Sequence, residues 1–145
     1  MDLQKPEISP LQFKPGFVER YATLTDWTIF SDSCKRYLRR SIRVNTLKIT
    51  VEELTSRMNK DWLLTPIPWC KEGFWVEHRA GRRDLGNTLE HQRGYYYIQE
   101  AASMIPPLVI NPDQDLLGLD MCAAPGSKTS QLAAIMRNHG CLIAN

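Results

Sequence analysis

The sequence predicts an α/β chain: a small α+β module, then the beginning of a parallel, helix-covered sheet that is cut after its second strand. Two observations lead there. Late in the chain, the apolar, β-compatible run 116–121 is followed by a loop of small residues, a helical pattern from Ser127, and a second apolar run, Cys141–Ala144. Strand, loop, helix, strand is the order of a parallel crossover, and a continuous apolar run is expected of a strand covered on both faces. Before about Gln92, helical and strand patterns are mixed in shorter pieces, which suggests the α+β module.

The elements follow in order. Residues 17–24 and 27–38 read as helices, 41–47 as a strand, and 51–60 as a helix with Leu54 and Met58 on one face. Residues 64–68 and 74–77 follow as strands. The polar stretch 79–93 reads as a connector, which divides the chain into residues 1–93 and 94–145. Tyr95, Tyr96 and Tyr97 alternate faces in a strand, so at least one ring is buried and one can be exposed. Residues 99–109 read as a helix disturbed by Pro106-Pro107. In the last helix Leu132, Ile135 and Met136 share a face, and Gly140 is its stop signal. Trp62, Trp69, Phe74 and Trp75 fall in apolar strands, where core packing is the default; none is assigned to a ligand.

Composition narrows the function classes only a little. At 145 residues and 43% hydrophobic content, the chain can bury an ordinary core. No run reaches membrane-spanning length, and the first residues, with Asp2, Glu7 and several prolines, lack the apolar centre of a signal peptide, so a cytoplasmic location with no membrane partner is expected. Cys34, Cys70, Cys122 and Cys141 are scattered and the three histidines are dispersed, so neither a metal site nor a disulfide framework is expected. Cys34 and Cys70 are expected to pack as buried thiols. The net charge of +2 argues for no partner by itself. Its distribution is uneven, because Lys35, Arg36, Arg39, Arg40, Arg43 and Lys48 place six cations in a stretch without an acid. Such a patch can contact phosphates with strong salt dependence, or it can be a solvated face balanced by acids elsewhere; charge alone leaves both open. Arg79, Arg82 and Arg83 around Gly81 read as an exposed turn.

The late loop offers two ligand readings. A phosphate-cradling loop requires Gly-x-x-x-x-Gly-Lys-Ser/Thr, but here Ser127 stands between Gly126 and Lys128 and the opening glycine is missing. The Gly-x-Gly-x-x-Gly dinucleotide fingerprint is also absent. Small residues at Ala123, Ala124 and Gly126 let a ligand approach the backbone, Pro125 stiffens the turn, and a helix N-terminus favours an anion.

Asp120-Met121-Cys122-Ala123-Ala124-Pro125-Gly126-Ser127-Lys128-Thr129 resembles motif I of the Sun/NOL family of RNA cytosine-C5 methyltransferases, which binds S-adenosylmethionine. Arg43-Val44-Asn45-Thr46-Leu47-Lys48 resembles the Arg-x-Asn-Thr-Leu-Lys element of that family's N-terminal domain, and the stretches at Thr65, Gly73 and Gly94 continue the likeness. Over residues 38–145 the chain resembles the bacterial subgroup that modifies small-subunit ribosomal RNA. The resemblance implies a Rossmann-like methyltransferase domain that begins near Gly94. It implies a cofactor wall made of Cys122, Ala123, Ala124, Pro125, Gly126, Ser127 and Lys128. It also makes RNA contact the preferred reading of the basic stretch, with Arg39, Arg40, Arg43 and Asn45 as candidates and 16S rRNA or the small subunit as partner. Asn45 fits a turn equally well. Asp120 can fix the loop, meet the cofactor's ammonium group or cap the strand end; Lys128 can pair with the carboxylate or decorate the helix. Thr129 reads as structural.

In that family a cysteine adds to C6 of cytosine so that C5 can attack the methyl group. The Thr-Cys and Pro-Cys motifs that supply the cysteines do not occur here, so no catalytic residue is assigned and the chain is expected to be inactive by itself. Cys122 matches a loop position of the family, not the nucleophile. A sheet with one crossover cannot cover its edges, so the reading frame is expected to continue past Asn145 with a ribose-binding acid and those motifs. Two other classes are an RNA-binding module without catalysis and a nucleotide hydrolase that needs magnesium.

Overall fold

Pro15 supplies a helical φ in a first turn and the Asp26 carboxylate accepts from the Ile29 amide at 3.0 Å, so the chain opens with two short helices, α1 (Pro15–Ala22) and α2 (Trp27–Cys34). The computed structural model describes residues 12–36, 38–112 and 115–145. The N-terminal stretch examined for a signal peptide and Tyr37 of the expected second helix lie outside them. The chain divides into two compact units, Met1–Leu38 and Arg39–Asn145. In the first, Phe13, Phe17, Tyr21, Trp27 and Phe30 form a chain of ring contacts, the tightest being Phe17–Tyr21 at 4.5 Å and Tyr21–Phe30 at 4.9 Å. Helix α2 stops at Cys34, which is exposed rather than packed.

The second unit is built on a four-stranded antiparallel sheet in the order β2-β3-β1-β4: β1 (Ser41–Val44), β2 (Trp62–Ile67), β3 (Cys70–His78) and β4 (Tyr96–Ile98). Pro66 is tolerated because β2 is an edge strand. Helix α3 (Val51–Met58) opens with a reciprocal cap, in which Thr50 Oγ1 accepts from the Glu53 amide and Glu53 accepts from the Thr50 amide. Leu54 and Met58 then join Ile42, Val44, Trp62, Phe74, Val76 and Tyr96 in the main core. Of the stretch expected to connect two domains, Leu85 belongs to this core. Leu85 is buried, Thr88 caps a short helix α4 (Leu89–Gln92), and the Tyr96 hydroxyl donates to Leu85 O at 2.7 Å. Because β4 pairs with β1, the first sheet extends past the expected border at residue 93.

Ile67, Cys70, Ala101 and Met104 form a second cluster with Trp75 against it. β3 runs so close to Met104 that a Cβ on Gly73 would sit 2.8 Å from its sulfur, so a larger residue there would force the buried Met104 to shift. The segment expected as one helix over 99–109 is a 3₁₀ turn, Ala102–Met104, followed by α5 (Ile105–Ile110). The prolines open α5 instead of disturbing it, since amides of a first turn have no partner to lose. The last elements are β5 (Leu117–Asp120), α6 (Ser127–Ile135) and β6 (Cys141–Ala144), with β5 and β6 parallel as expected of a crossover. The expectation of a doubly covered β5 fails. Leu117 is 72% and Leu119 62% exposed, because they share one face of β5 and no element among the described residues covers that face.

The expected packing of Cys70 holds, and burial pushes its thiol above the usual value. A disulfide-exchange reagent should therefore modify the exposed Cys34, Cys122 and Cys141 quickly and Cys70 only as the fold opens. Rapid reaction of all four thiols would contradict the packing. The unfolded chain releases the Cys70 proton first, so its contribution to stability is complete below the ordinary thiol pKa of about 8.5 and is lost as pH rises above it. Cys70→Ala should flatten that alkaline loss in urea titrations.

Candidate functional site

The loop from 121 to 126 is held from three directions. Parallel pairing in the register Asp120↔Ala144 brings the ends of β5 and β6 together. Asn145 N–H then donates to Asp120 O and Ala123 N–H to Asn145 O, both at 3.0 Å. One oxygen of the Asp120 carboxylate accepts from the Cys122 amide at 3.1 Å and the other from the Thr129 hydroxyl at 2.6 Å. Asp120 therefore braces the loop to the first turn of α6, and Thr129 is its structural partner. Gly126 N–H closes the turn on Ala123 O at 2.6 Å, and Gly126 has φ +101°. Only glycine takes that conformation without strain, although the space around it is open.

α6 starts at Ser127 with no side-chain cap on its first-turn amides. Cys122, Ala124, Pro125 and Lys128 are exposed, while Ala123, Gly126 and Ser127 are half-buried. Free amides and the helix dipole thus meet at one corner, with the exposed Lys128 in the same first turn, an arrangement that favours a carboxylate or similar anion. The Ala and Gly side chains leave the backbone approachable.

The first sheet forms the back of this loop, which sequence reasoning missed. The Tyr97 hydroxyl donates to Pro125 O at 3.1 Å. Arg43, 3% exposed, donates through Nε to Gln99 Oε1 at 2.9 Å and through Nη2 to Ser130 Oγ at 2.8 Å. Gln99 Nε2 continues to Gln131 Oε1 at 2.9 Å, and Gln131 Nε2 to Met104 O at 2.9 Å. Burial lowers the proton affinity of the Arg43 guanidinium. Strand alternation held the signal: Ile42 and Val44 take one face, which leaves Ser41 and Arg43 on the other.

The basic stretch does not form one surface. Arg43 is corrected from RNA candidate to internal anchor, because its guanidinium is turned into the fold. Asn45 is a turn residue: Nδ2 donates to Gly94 O at 3.0 Å and Oδ1 accepts from the Leu47 amide at 3.3 Å. Lys48 Nζ donates to Arg93 O at 3.1 Å. Arg36, in the first unit, pairs with Asp32 at 3.2 Å. Arg39 and Arg40 stay exposed, with Arg39 4.4 Å over the Trp75 ring and Arg40 donating to Arg83 O. The expected exposed turn holds Arg82 paired with Asp84 at 2.6 Å. Of the four rings assigned to core, Trp62 and Phe74 are buried and Trp75 is half-buried, but Trp69 is 45% exposed.

Comparison with known proteins yields two family matches. Residues 13–101 match the N-terminal domain of 16S rRNA methyltransferase RsmF, and residues 107–145 match 16S rRNA methyltransferase RsmB/F. Ribosomal RNA small subunit methyltransferase F of Vibrio cholerae serotype O1 is 53% identical over 145 residues, covering 97% of this chain and 30% of that protein. Its counterpart in Photobacterium profundum is 54% identical over 120 residues, 80% of this chain and 25% of that protein. The chain thus spans less than a third of the length of these curated relatives. Among solved structures, a methyltransferase homolog protein from Pyrococcus horikoshii aligns with TM-score 0.72 at 36% identity, over 91% of this chain and 48% of that one. NSun6 from the same organism, solved with SFG, shares the fold with TM-score 0.80 at 20% identity, over 90% of this chain and 58% of its own.

Proposed function

The chain belongs to the RsmB/F family of 16S rRNA methyltransferases, and from that premise we propose that it is part of an S-adenosylmethionine-dependent enzyme that methylates C5 of a cytosine in 16S rRNA. The observation that carries the reading is the Asp120-braced, glycine-turned loop at the start of α6. Its residues fit the cofactor: a carboxylate finds uncapped amides, and nothing lies within 4 Å of where a Gly126 Cβ would stand. When bound, S-adenosylmethionine supplies an electrophilic methyl group on sulfonium. Residues 122–128 would form one wall of its site, with the amides of the first α6 turn and Lys128 facing the methionine carboxylate. Asp120 would keep the wall in shape, and Arg39 and Arg40 would meet RNA phosphates.

The chain itself orients and binds but does not complete the transfer. In the family, a cysteine thiolate bonds to C6 of cytosine, C5 takes the methyl group, and loss of the C5 proton with expulsion of the thiolate restores the ring. The motifs that carry those cysteines are not among these 145 residues, and Cys122 sits in the cofactor loop. A cytoplasmic location, where ribosomal RNA is made and assembled in bacteria, goes with this function.

Deleting the gene that encodes the chain should remove one 5-methylcytidine from 16S rRNA, read by mass spectrometry of digested nucleosides, and restoring the gene should return it. Unchanged 5-methylcytidine would sink the proposal and favour an RNA-binding role without catalysis.

A further inference from the structure

At the other end of α6 from the loop lies a groove of about 810 Å³, bounded by the β2–β3 turn, the segment after β1, and the ends of α5 and α6. Trp69 lines it. The Trp69 indole N–H donates to Ala101 O at 3.0 Å, and its ring meets Trp75 edge-on with centroids 5.7 Å apart. These two contacts fix the ring while 45% of the residue stays open to water. A ring held in a fixed, accessible position is a ready stacking platform.

The charges around it indicate which. Lys71 and Arg137 line the groove, and the Arg39 guanidinium lies over Trp75 next to it. Among the described residues no carboxylate pairs with Arg39 or Arg137. Among the described residues Glu72 is the groove's single carboxylate; it is met by Lys71 at 3.8 Å and accepts from the Cys70 thiol at 3.8 Å. A fixed ring beside an excess of cations matches a base with its flanking phosphates. The volume falls within the range of roughly 300–1,000 Å³ typical of sites for small organic groups.

We propose that this groove holds an unpaired nucleotide of the RNA substrate, with its base stacked on Trp69 and its flanking phosphates on Arg137, Lys71 and Arg39. The inference rests on the reading of the chain as part of an enzyme that acts on rRNA. The groove and the cofactor loop lie at opposite ends of α6, about 13 Å apart for nine residues, so the nucleotide held here is not the methylated one. A duplex would not serve, because its bases offer no free face.

The test is fluorescence anisotropy with a short unstructured oligoribonucleotide, the same strand annealed to its complement, and small ribosomal subunits. Trp69→Ala should weaken single-strand binding about tenfold, while Trp69→Phe, which keeps a stacking face, should stay within about threefold. Removing Lys71 and Arg137 together should flatten the salt dependence by about 1.4 in log–log slope, 0.7 for each phosphate contact. Wild-type affinity in a folded Trp69→Ala protein would overturn the inference and leave the enzymatic reading standing, as would equal affinity for the duplex. Should Trp69→Ala fail to fold, Trp69→Phe decides by quenching: the oligonucleotide should quench the tryptophan emission of the wild type and clearly less that of Trp69→Phe, and equal quenching in the two overturns the stacking role. If the wild type binds neither the oligonucleotide nor the subunits, the reading of an rRNA enzyme fails as well.

Discussion

Replacing Arg43 with methionine is expected to lower the stability of the chain by about 3 kcal/mol, because hydrogen bonds from a charged donor are worth about 1.5–3 kcal/mol each and a stranded buried acceptor costs a further 1–3. The variant loses the bonds to Gln99 Oε1 and Ser130 Oγ and leaves the Gln99 oxygen buried without its donor. Relief from desolvating a cation offsets part of this, since no carboxylate pairs with Arg43 among the described residues. Arg43→Lys keeps the charge but cannot fork to both acceptors, and should recover less than half of the loss. Arg43→Met combined with Gln99→Leu should cost clearly less than the sum of the single changes, because the stranded acceptor goes too. Urea unfolding of the wild type, the three single variants, Arg43→Met, Arg43→Lys and Gln99→Leu, and the double variant reads this out. A loss under about 1 kcal/mol in Arg43→Met, or simple additivity in the pair, would remove the case that this network joins the first sheet to α6.

Arg43 also shows where the sequence misleads. It stands in a run of cations, and composition groups it with Arg39 and Arg40; strand alternation separates it from Arg40, and its contacts with Gln99 and Ser130 distinguish it from the exposed Arg39. The loop, in contrast, was legible, because its small residues, its glycine and the following helix start are contiguous and each has a local physical meaning. The same is true of α3, whose cap is written as Thr50 and Glu53 at the required spacing. What local reading missed depends on distant pairing. Leu85 is hidden in a polar stretch because Tyr96, eleven residues on, fastens that stretch to the core. β5 is apolar enough to be covered on both faces, yet coverage is set by the elements that pack on each face and not by its own residues. Trp69 looks like core from its sequence neighbours, but the β2–β3 turn carries it to the surface, and only there does its relation to Arg137 become visible.

Asp120→Ala should weaken cofactor binding by at least tenfold, since the loop loses two hydrogen bonds to a charged acceptor, and one such bond is worth about 1.5–3 kcal/mol. The informative variant is Asp120→Asn. Its amide oxygen can still accept from the Cys122 amide and its NH₂ can donate to the Thr129 oxygen, so the brace survives without the charge. If Asp120 acts by bracing, Asp120→Asn should bind S-adenosylmethionine within about threefold of wild type, and Thr129→Val should imitate a part of Asp120→Ala. If the carboxylate meets the ammonium group of the cofactor, Asp120→Asn should fall as far as Asp120→Ala, while Thr129→Val should matter little. Both carboxylate oxygens already have partners inside the loop, at 3.1 and 2.6 Å, which favours the brace. Calorimetry on the three variants separates the two roles, and hydrogen exchange at the Cys122 amide adds a measure free of ligand: it should accelerate in Asp120→Ala and stay slow in Asp120→Asn.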